Sequence, residues 1–320
     1  VQIKPPRMTK DMVTHGLFTL ARSATKMRAP HSRGKEANMR AFFCNPEGQL
    51  RNGVWIVIFL VLFVASRFVY HPVSQAIQHL NFDAAWLQPL PFIFALLVTW
   101  ACVRLRRQRL SSVGFEMDRR WAKEVGVGVG IGTAAMLAIA ALIVATGGAQ
   151  LSLDPARSLA ALGSAAWVFA CVALFEETLF RGFVFQRMVD GAGIWIAQIS
   201  LALLFAIAHW DNPGMEPTTQ VLAMIDTALG AILLGLAYLR TRSLALPIGI
   251  HFGWNWAQGA LLGFDVSGFA QAGWLHAEIL DKPQWVTGGK FGPEASMFAV
   301  IVDLITVALL WRWRGTRARS

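Results

Sequence analysis

Acidic residues and cysteines are scarce in this chain. Its 320 residues hold 19 Asp and Glu against 29 Lys and Arg, a formal charge of +10, and three cysteines. Cys44, Cys102 and Cys171 are scattered and show no metal-ligand spacing, so neither a disulfide framework nor a structural zinc site is expected. Charge of either sign is thin, at 15% of residues against 55% hydrophobic, which excludes an ordinary soluble domain. GxGxxG and HExxH are both absent, which argues against a dinucleotide-binding loop and a helix-borne zinc pair. The first 52 residues contain no apolar core long enough for a secretory signal. The positive charge is not a nucleic-acid footprint either. It collects in the N-terminal tail and at the ends of apolar blocks, the pattern of membrane orientation and contact with anionic lipid.

What the chain does have is long uncharged runs. Eight apolar stretches, approximately 54–70, 87–103, 125–146, 160–180, 194–210, 221–239, 244–262 and 296–311, approach membrane-spanning length. Basic residues fill every second connection: the tail, 104–123, Arg181 and Arg187, Arg240 and Arg242, and Arg312 to Arg319. The others hold few, with no Lys or Arg in 71–86 or 210–220, only Arg157 in 147–159, and two Lys against four acids in 263–295. That alternation predicts an all-α polytopic membrane protein of about eight transmembrane helices, with both termini cytoplasmic. Residues 1–52 read as a basic, disordered cytoplasmic tail, in which Met39 is an alternative start, and 53–315 as the transmembrane domain. Gly126, Gly128, Gly130 and Gly132 form two GxxxG pairs, expected to allow close helix packing. Trp55, Trp86, Trp121, Trp210, Trp311 and Trp313 lie near stretch ends, as an interfacial aromatic belt requires.

The fourth stretch ends in Phe175-Glu176-Glu177-Thr178-Leu179-Phe180-Arg181. Ionisable residues inside an apolar segment face the bundle interior and mark a functional site by default. Glu177 and Arg181 are four apart and share a helix face, in the favourable acid-before-base order, whereas Glu176 is rotated by about 100°. Arg181 can therefore neutralise Glu177 and leave Glu176 for chemistry. The bland alternative is an ion-paired helix end near the interface. Two further pairs count against it: Phe205 with His209, and His251 with Asn255, each four apart and on one face. With a short connection near Gly193, Glu177 and His209 reach comparable depths, and Pro247 and Gly249 are expected to loosen or break the helix carrying His251. His15, His31, His71, His79 and His276 fall in the tail or in connections and are poor site candidates.

These residues as spaced, Glu176-Glu177-x-x-x-Arg181, Phe205-x-x-x-His209 and His251-x-x-x-Asn255, resemble the three motifs of the CPBP intramembrane proteases. That family is also called the type II CAAX prenyl endopeptidase, Abi or bacteriocin-processing group. The resemblance covers about 160–260, and the leader Asn45 to Gly53 looks like that of bacterial members. It implies an eight-span helical enzyme with a water-filled polar cavity inside the membrane. By similarity, Glu176 and His209 would activate water, His251 and Asn255 would steady the oxyanion, and Arg181 would organise the glutamate pair.

Chemistry supports the same assignment. Peptide hydrolysis needs a base poised near neutral pH and donors aimed at the developing oxyanion. A desolvated Glu176 and the side chains of His251 and Asn255 are of those types. No serine or cysteine forms a nucleophile motif beside them, which disfavours an acyl-enzyme. No cofactor is expected. Zinc held by Glu176, His209 and His251 is the alternative, ranked second because the ligands would come from three separate helices. The expected partners are membrane lipid and a peptide or protein substrate at the membrane, CAAX-like or bacteriocin-like, with no nucleic acid. The expected setting is a bacterial cytoplasmic (inner) membrane. Rival readings are a non-enzymatic immunity or scaffold protein of the same fold, and a proton-coupled transporter. The latter is disfavoured because no inverted repeat is evident.

Overall fold

The computed structural model describes residues 41–80 and 84–316. Most of the expected tail, Met39 included, lies outside the described residues. The chain divides into two compact units, Val1–Arg51 and Asn52–Ser320. In the first, residues 41–51 form a closed turn. Cys44 pairs with Leu50 in an antiparallel bridge, the Asn45 side chain accepts from the Gln49 N–H at 2.8 Å, and Arg51 Nε donates to the carbonyls of Ala41 and Cys44.

The second unit is mostly helical. Its elements are α1 (Asn52–His79), α2 (Leu90–Leu105), α3 (Arg119–Ala145), β1 (Ala149–Leu153) and α4 (Leu159–Glu177). A π-helical turn (Thr178–Gly182) leads into α5 (Phe183–Ala192), α6 (Ile194–Ala208), α7 (Pro217–Thr241) and α8 (Ala245–Asn255). A second π turn (Trp256–Leu261) precedes β2 (Leu275–Ile279), the single turn α9 (Gln284–Thr287) and α10 (Met297–Arg312). Every apolar stretch read from the sequence falls on one of these helices. Four segments, Asn52–His79, Arg119–Ala145, Leu159–Ala192 and Pro217–Thr241, are long and apolar enough to cross a membrane, and Leu90–Leu105 and Ile194–Ala208 are shorter apolar helices. Large apolar side chains lie exposed along them, Val61, Val64 and Phe68 on α1 and Ile196, Leu203 and Ile207 on α6 among them. Surfaces of that extent need lipid, not water. This is an integral membrane protein.

Helix starts follow ordinary capping chemistry. Asp118, Ser158 and Ser296 accept from the backbone N–H groups of Trp121, Ala161 and Ala299 and so open α3, α4 and α10. Gly193, at φ +91°, is the single-residue turn between α5 and α6, the short connection that the sequence requires.

Two expectations need correction. The fold is not purely α: β1 and β2 pair antiparallel, with Ala149 opposite Ile279 and Leu153 opposite Leu275. Both strands alternate, so Leu151, Leu275 and Ala277 point to the core formed by Ile139, Ile143, Trp254 and Phe264 while Gln150 faces Glu278. Alternation over five residues is a weak signal when the partner strand lies more than a hundred residues away. Nor do Pro247 and Gly249 break their helix, since α8 runs unbroken through both. Pro247 lies in the first turn, where its missing N–H would have no intrahelical acceptor. Gly249 instead serves packing. A Cβ there would fall 3.0 Å from the Gly128 Cα, and one on Gly253 would fall 2.9 Å from the Val129 Cα. Gly128 and Gly132 meet this stripe from α3, whereas Gly126 and Gly130 face open space. The α3–α8 contact is therefore a glycine seam, the geometry that lets two helices approach closely when lipid supplies no hydrophobic drive.

Candidate functional site

The seam sets the position of α8 and so of His251. On the other side of α8 lies α4, whose last residues are Glu176 and Glu177. Glu177 is fully buried, and its Oε1 accepts both from Arg181 (3.0 Å) and from His251 Nδ1 (2.8 Å). With Oε1 acting as acceptor toward a guanidinium that can only donate, Nδ1 of His251 is the donor of the second bond and its Nε2 is left for other partners. That Nε2 lies 3.8 Å from Glu176 Oε2. Glu176 keeps 19% of its side-chain surface exposed while Glu177 keeps none. The adjacent carboxylates thus occupy different environments, one locked between Arg181 and His251 and the other partly open.

Arg181 lies in the π turn that follows Glu177 directly. Its second nitrogen donates to the Ala231 carbonyl on α7 at 3.1 Å, and its guanidinium stands 4.9 Å from the centre of the Phe205 ring. Phe205 in turn is 4.6 Å from the His209 ring and meets Phe180 edge-on at 4.9 Å. His209 caps the end of α6, half-buried, with Nδ1 2.8 Å from the Phe205 carbonyl. A carbonyl only accepts, so that Nδ1 also holds the proton and Nε2 is free to act as a base. Members of all three pairs, Asn255 excepted, are therefore in physical series: His209, Phe205, Arg181, Glu177, His251 and Glu176. Asn255, one turn beyond His251, is buried at 9% exposure. Among the described residues its side chain has no hydrogen-bond partner, and it immediately precedes the second π turn. π turns inside α-helices concentrate at functional sites. A small hollow lined by Glu116, Asp118, Arg120, Trp121, Glu124 and Ser243 lies at the start of α3 and touches none of these residues.

The alternative zinc set does not assemble. Among the described residues no three His, Cys, Asp or Glu side chains are placed to share an ion, and Glu177, the carboxylate closest to His251, is already held by Arg181.

Sequence reasoning missed a second buried polar group. Asp226 on α7, Asp303 on α10 and Glu294 just before α10 are at most 8% exposed. Asp226 and Asp303 each carry an oxygen without a hydrogen-bond partner among the described residues. Single acids inside the sixth and eighth apolar stretches were the available signal. Glu294 lies outside the membrane-spanning segments. Burial pushes its carboxyl above the usual range, while the Ser267 N–H, the Gln258 amide and nearby His209 pull the other way.

Residues 158–257 match the family model described as type II CAAX prenyl endopeptidase Rce1-like, a stretch that contains every motif residue named above. No curated protein and no solved structure matches the chain. Residues 158–257 are thus a type II CAAX prenyl endopeptidase Rce1-like (CPBP) domain.

Proposed function

We propose that this protein is an intramembrane endopeptidase that hydrolyses peptide bonds of membrane-associated, CAAX-like or bacteriocin-like substrates with activated water. In this reading eight helices span a bacterial cytoplasmic membrane, both termini are cytoplasmic, and the substrate enters a polar cavity from that side. Glu176 is the general base, and His209 presents Nε2 to the same water. The tetrahedral oxyanion receives hydrogen bonds from Asn255 and from His251, which must then be an imidazolium, since Nε2 donates only when protonated. Charge balance supports that form: Glu176 and Glu177 against Arg181 leave one negative charge, which the imidazolium cancels. Glu177, Arg181 and Phe205 organise the site and do not touch substrate. No metal takes part.

The observation that carries the reading is the unequal treatment of two adjacent carboxylates. Glu177 is consumed by Arg181 and His251, while Glu176, beside the same imidazole, remains partly open. A general base has to be held in place yet reachable by water.

The test is cleavage of a quenched fluorescent peptide library, including a farnesylated CAAX peptide, by detergent-purified protein with and without a zinc chelator. Glu176→Gln and His209→Ala should each lower turnover by about 10²-fold or more, within the range of lost acid–base catalysis, and chelation should change nothing. Chelator-sensitive cleavage restored by metal would overturn the metal-free mechanism. Full activity in Glu176→Gln would remove Glu176 from the chemistry.

A further inference from the structure

Residues 263–295 carry no motif, yet their fold converges on one carboxylate. Val266-Ser267-Gly268-Phe269 is a two-residue hairpin whose ends exchange backbone hydrogen bonds. Its central residues take φ +48° and +87°, the left-handed pair that such a turn demands. Ser267 adopts this conformation without being glycine, at a cost. What holds it is Glu294. The Glu294 Oε2 accepts from the Ser267 N–H at 2.6 Å, and the Ser267 hydroxyl is 3.2 Å from both carboxylate oxygens.

The same Oε2 accepts from Gln258 Nε2 at 3.1 Å. Gln258 is fully buried in the π turn, three residues beyond Asn255. From the other side of the hairpin, the Ser267 carbonyl accepts from Asn212 Nδ2 at 3.0 Å. The Asn212 N–H donates to the His209 carbonyl at 3.2 Å. Gly268 packs so closely on Pro213 that no side chain fits between them. An unbroken series thus runs from Asn255 through Gln258, Glu294, Ser267 and Asn212 to His209. It joins the ends of two motif helices by a second route, whereas the series through the charged centre stops at His251 and leaves the Asn255 side chain without a partner among the described residues.

We propose that Glu294 is a positioning residue, a clasp that fixes the Asn255-bearing turn relative to His209 and so sets the water-activating base against the oxyanion donor. This rests on the protease reading above. The clasp works through accepted hydrogen bonds. A glutamine therefore retains it: its carbonyl can accept from Ser267, and its amide can donate to Gln258 Oε1, which has no partner among the described residues. An alanine leaves the Ser267 N–H and one Gln258 bond without an acceptor.

The experiment compares full-length wild type, Glu294→Ala, Glu294→Gln and a control, Val286→Ala, which thins the same loop's buried packing without touching the clasp. Peptide cleavage gives kcat and KM separately, and hydrogen–deuterium exchange follows 205–214 and 255–268. Glu294→Ala should lower kcat at least tenfold with KM within about twofold, and should raise exchange in both segments together. Glu294→Gln should stay within about threefold of wild type in kcat, and Val286→Ala should change neither kcat nor exchange in those two segments. Exchange rising in only one segment would overturn the clasp. Exchange rising in both with kcat unchanged would leave a structural brace and overturn the positioning role. If wild type cleaves no peptide, the protease reading fails separately, and the exchange data alone still decide whether the clasp exists.

Discussion

Four glycines spaced two apart on α3 look equivalent in the sequence, and the structure separates them into two classes. A Cβ on Gly128 would lie 2.5 Å from the Leu246 carbonyl oxygen, 2.8 Å from the Ile250 nitrogen and 2.9 Å from the Gly249 Cα. One on Gly132 would overlap the Ile250 carbonyl and lie 2.8 Å from the Trp254 nitrogen. These neighbours are backbone and cannot rotate away, so α8 must retreat by roughly 1 Å to restore carbon–oxygen contact. Gly128→Ala and Gly132→Ala should each destabilise by about 1–3 kcal/mol, the usual range for overpacking. The functional loss should be larger. His251 lies about 200° round α8 from Gly249, on the face turned to Glu177, and its 2.8 Å hydrogen bond to Glu177 does not survive a 1 Å shift of the helix that carries it. Misplacement of a catalytic group on that scale costs on the order of 10²-fold in rate. Gly126→Ala and Gly130→Ala meet nothing within 4 Å and should be neutral or stabilising by up to about 1 kcal/mol through helix propensity. Thermal unfolding in detergent and peptide cleavage, run on all four variants, test this directly. Wild-type stability and activity in Gly132→Ala, or equal damage in Gly130→Ala, would refute the seam as the element that positions His251.

Two further outcomes follow from the buried charges. Arg181→Met strands Glu177 as a buried anion and should cost about 3–5 kcal/mol, whereas Arg181→Met with Glu177→Gln removes both charges and should recover more than half of that loss. Thermal unfolding of the single and double variants reads this, and additive losses would contradict it. For Glu294 the sign follows from linkage. Its carboxyl is raised above the ordinary 4.5, so the folded state holds the proton more tightly. The stability it contributes is present below that pH and lost as pH rises through the folded value. His209 also acts on it, and Glu294 in turn acts on Asp226 of α7 and Asp303 of α10; all three remain in Glu294→Gln. From about pH 4.5 upward, the melting temperature of wild type should therefore fall relative to Glu294→Gln, and a rise would show that Glu294 titrates below its ordinary value.

The helices were legible because hydropathy alone marks a segment that must close its own backbone hydrogen bonds, and each apolar stretch indeed lies on a helix. The Glu177–Arg181 pair was legible because the i, i+4 spacing dictates it. Three features were not. The π turns after Glu177 and Asn255 have no residue signature, since they are set by how neighbouring helices accept the extra residue. Gly126 and Gly130 read the same as Gly128 and Gly132, because the face a lipid-embedded helix turns to its partner is a tertiary choice. Glu294 looked like one of four acids in a polar loop, and nothing local says that its carboxylate is buried against Ser267. Asp226 and Asp303 were a different kind of miss, since isolated acids in apolar stretches carried the signal.

The seam and the charged centre also depend on each other. A carboxylate as deeply buried as Glu177 is tolerable only when its charge is neutralised at hydrogen-bonding distance. Arg181 supplies one cation from the same helix, and His251 supplies the second donor from α8. The imidazole reaches Glu177 because α8 lies against α3 at a distance that only Gly128, Gly132, Gly249 and Gly253 permit. Widening the seam would therefore do more than loosen packing, because it would press α8 toward α4 and displace the donor held against a buried anion. The π turn supplies the remaining constraint. It lets α4 continue as α5 on a changed phase, so that Arg181 reaches both Glu177 and the Ala231 carbonyl while Phe183 and Phe185 remain buried. Small residues on one helix pair and an irregular turn on a third thus serve the same end. They hold one carboxylate immobile so that its neighbour, Glu176, is the acid at the centre left free to meet water.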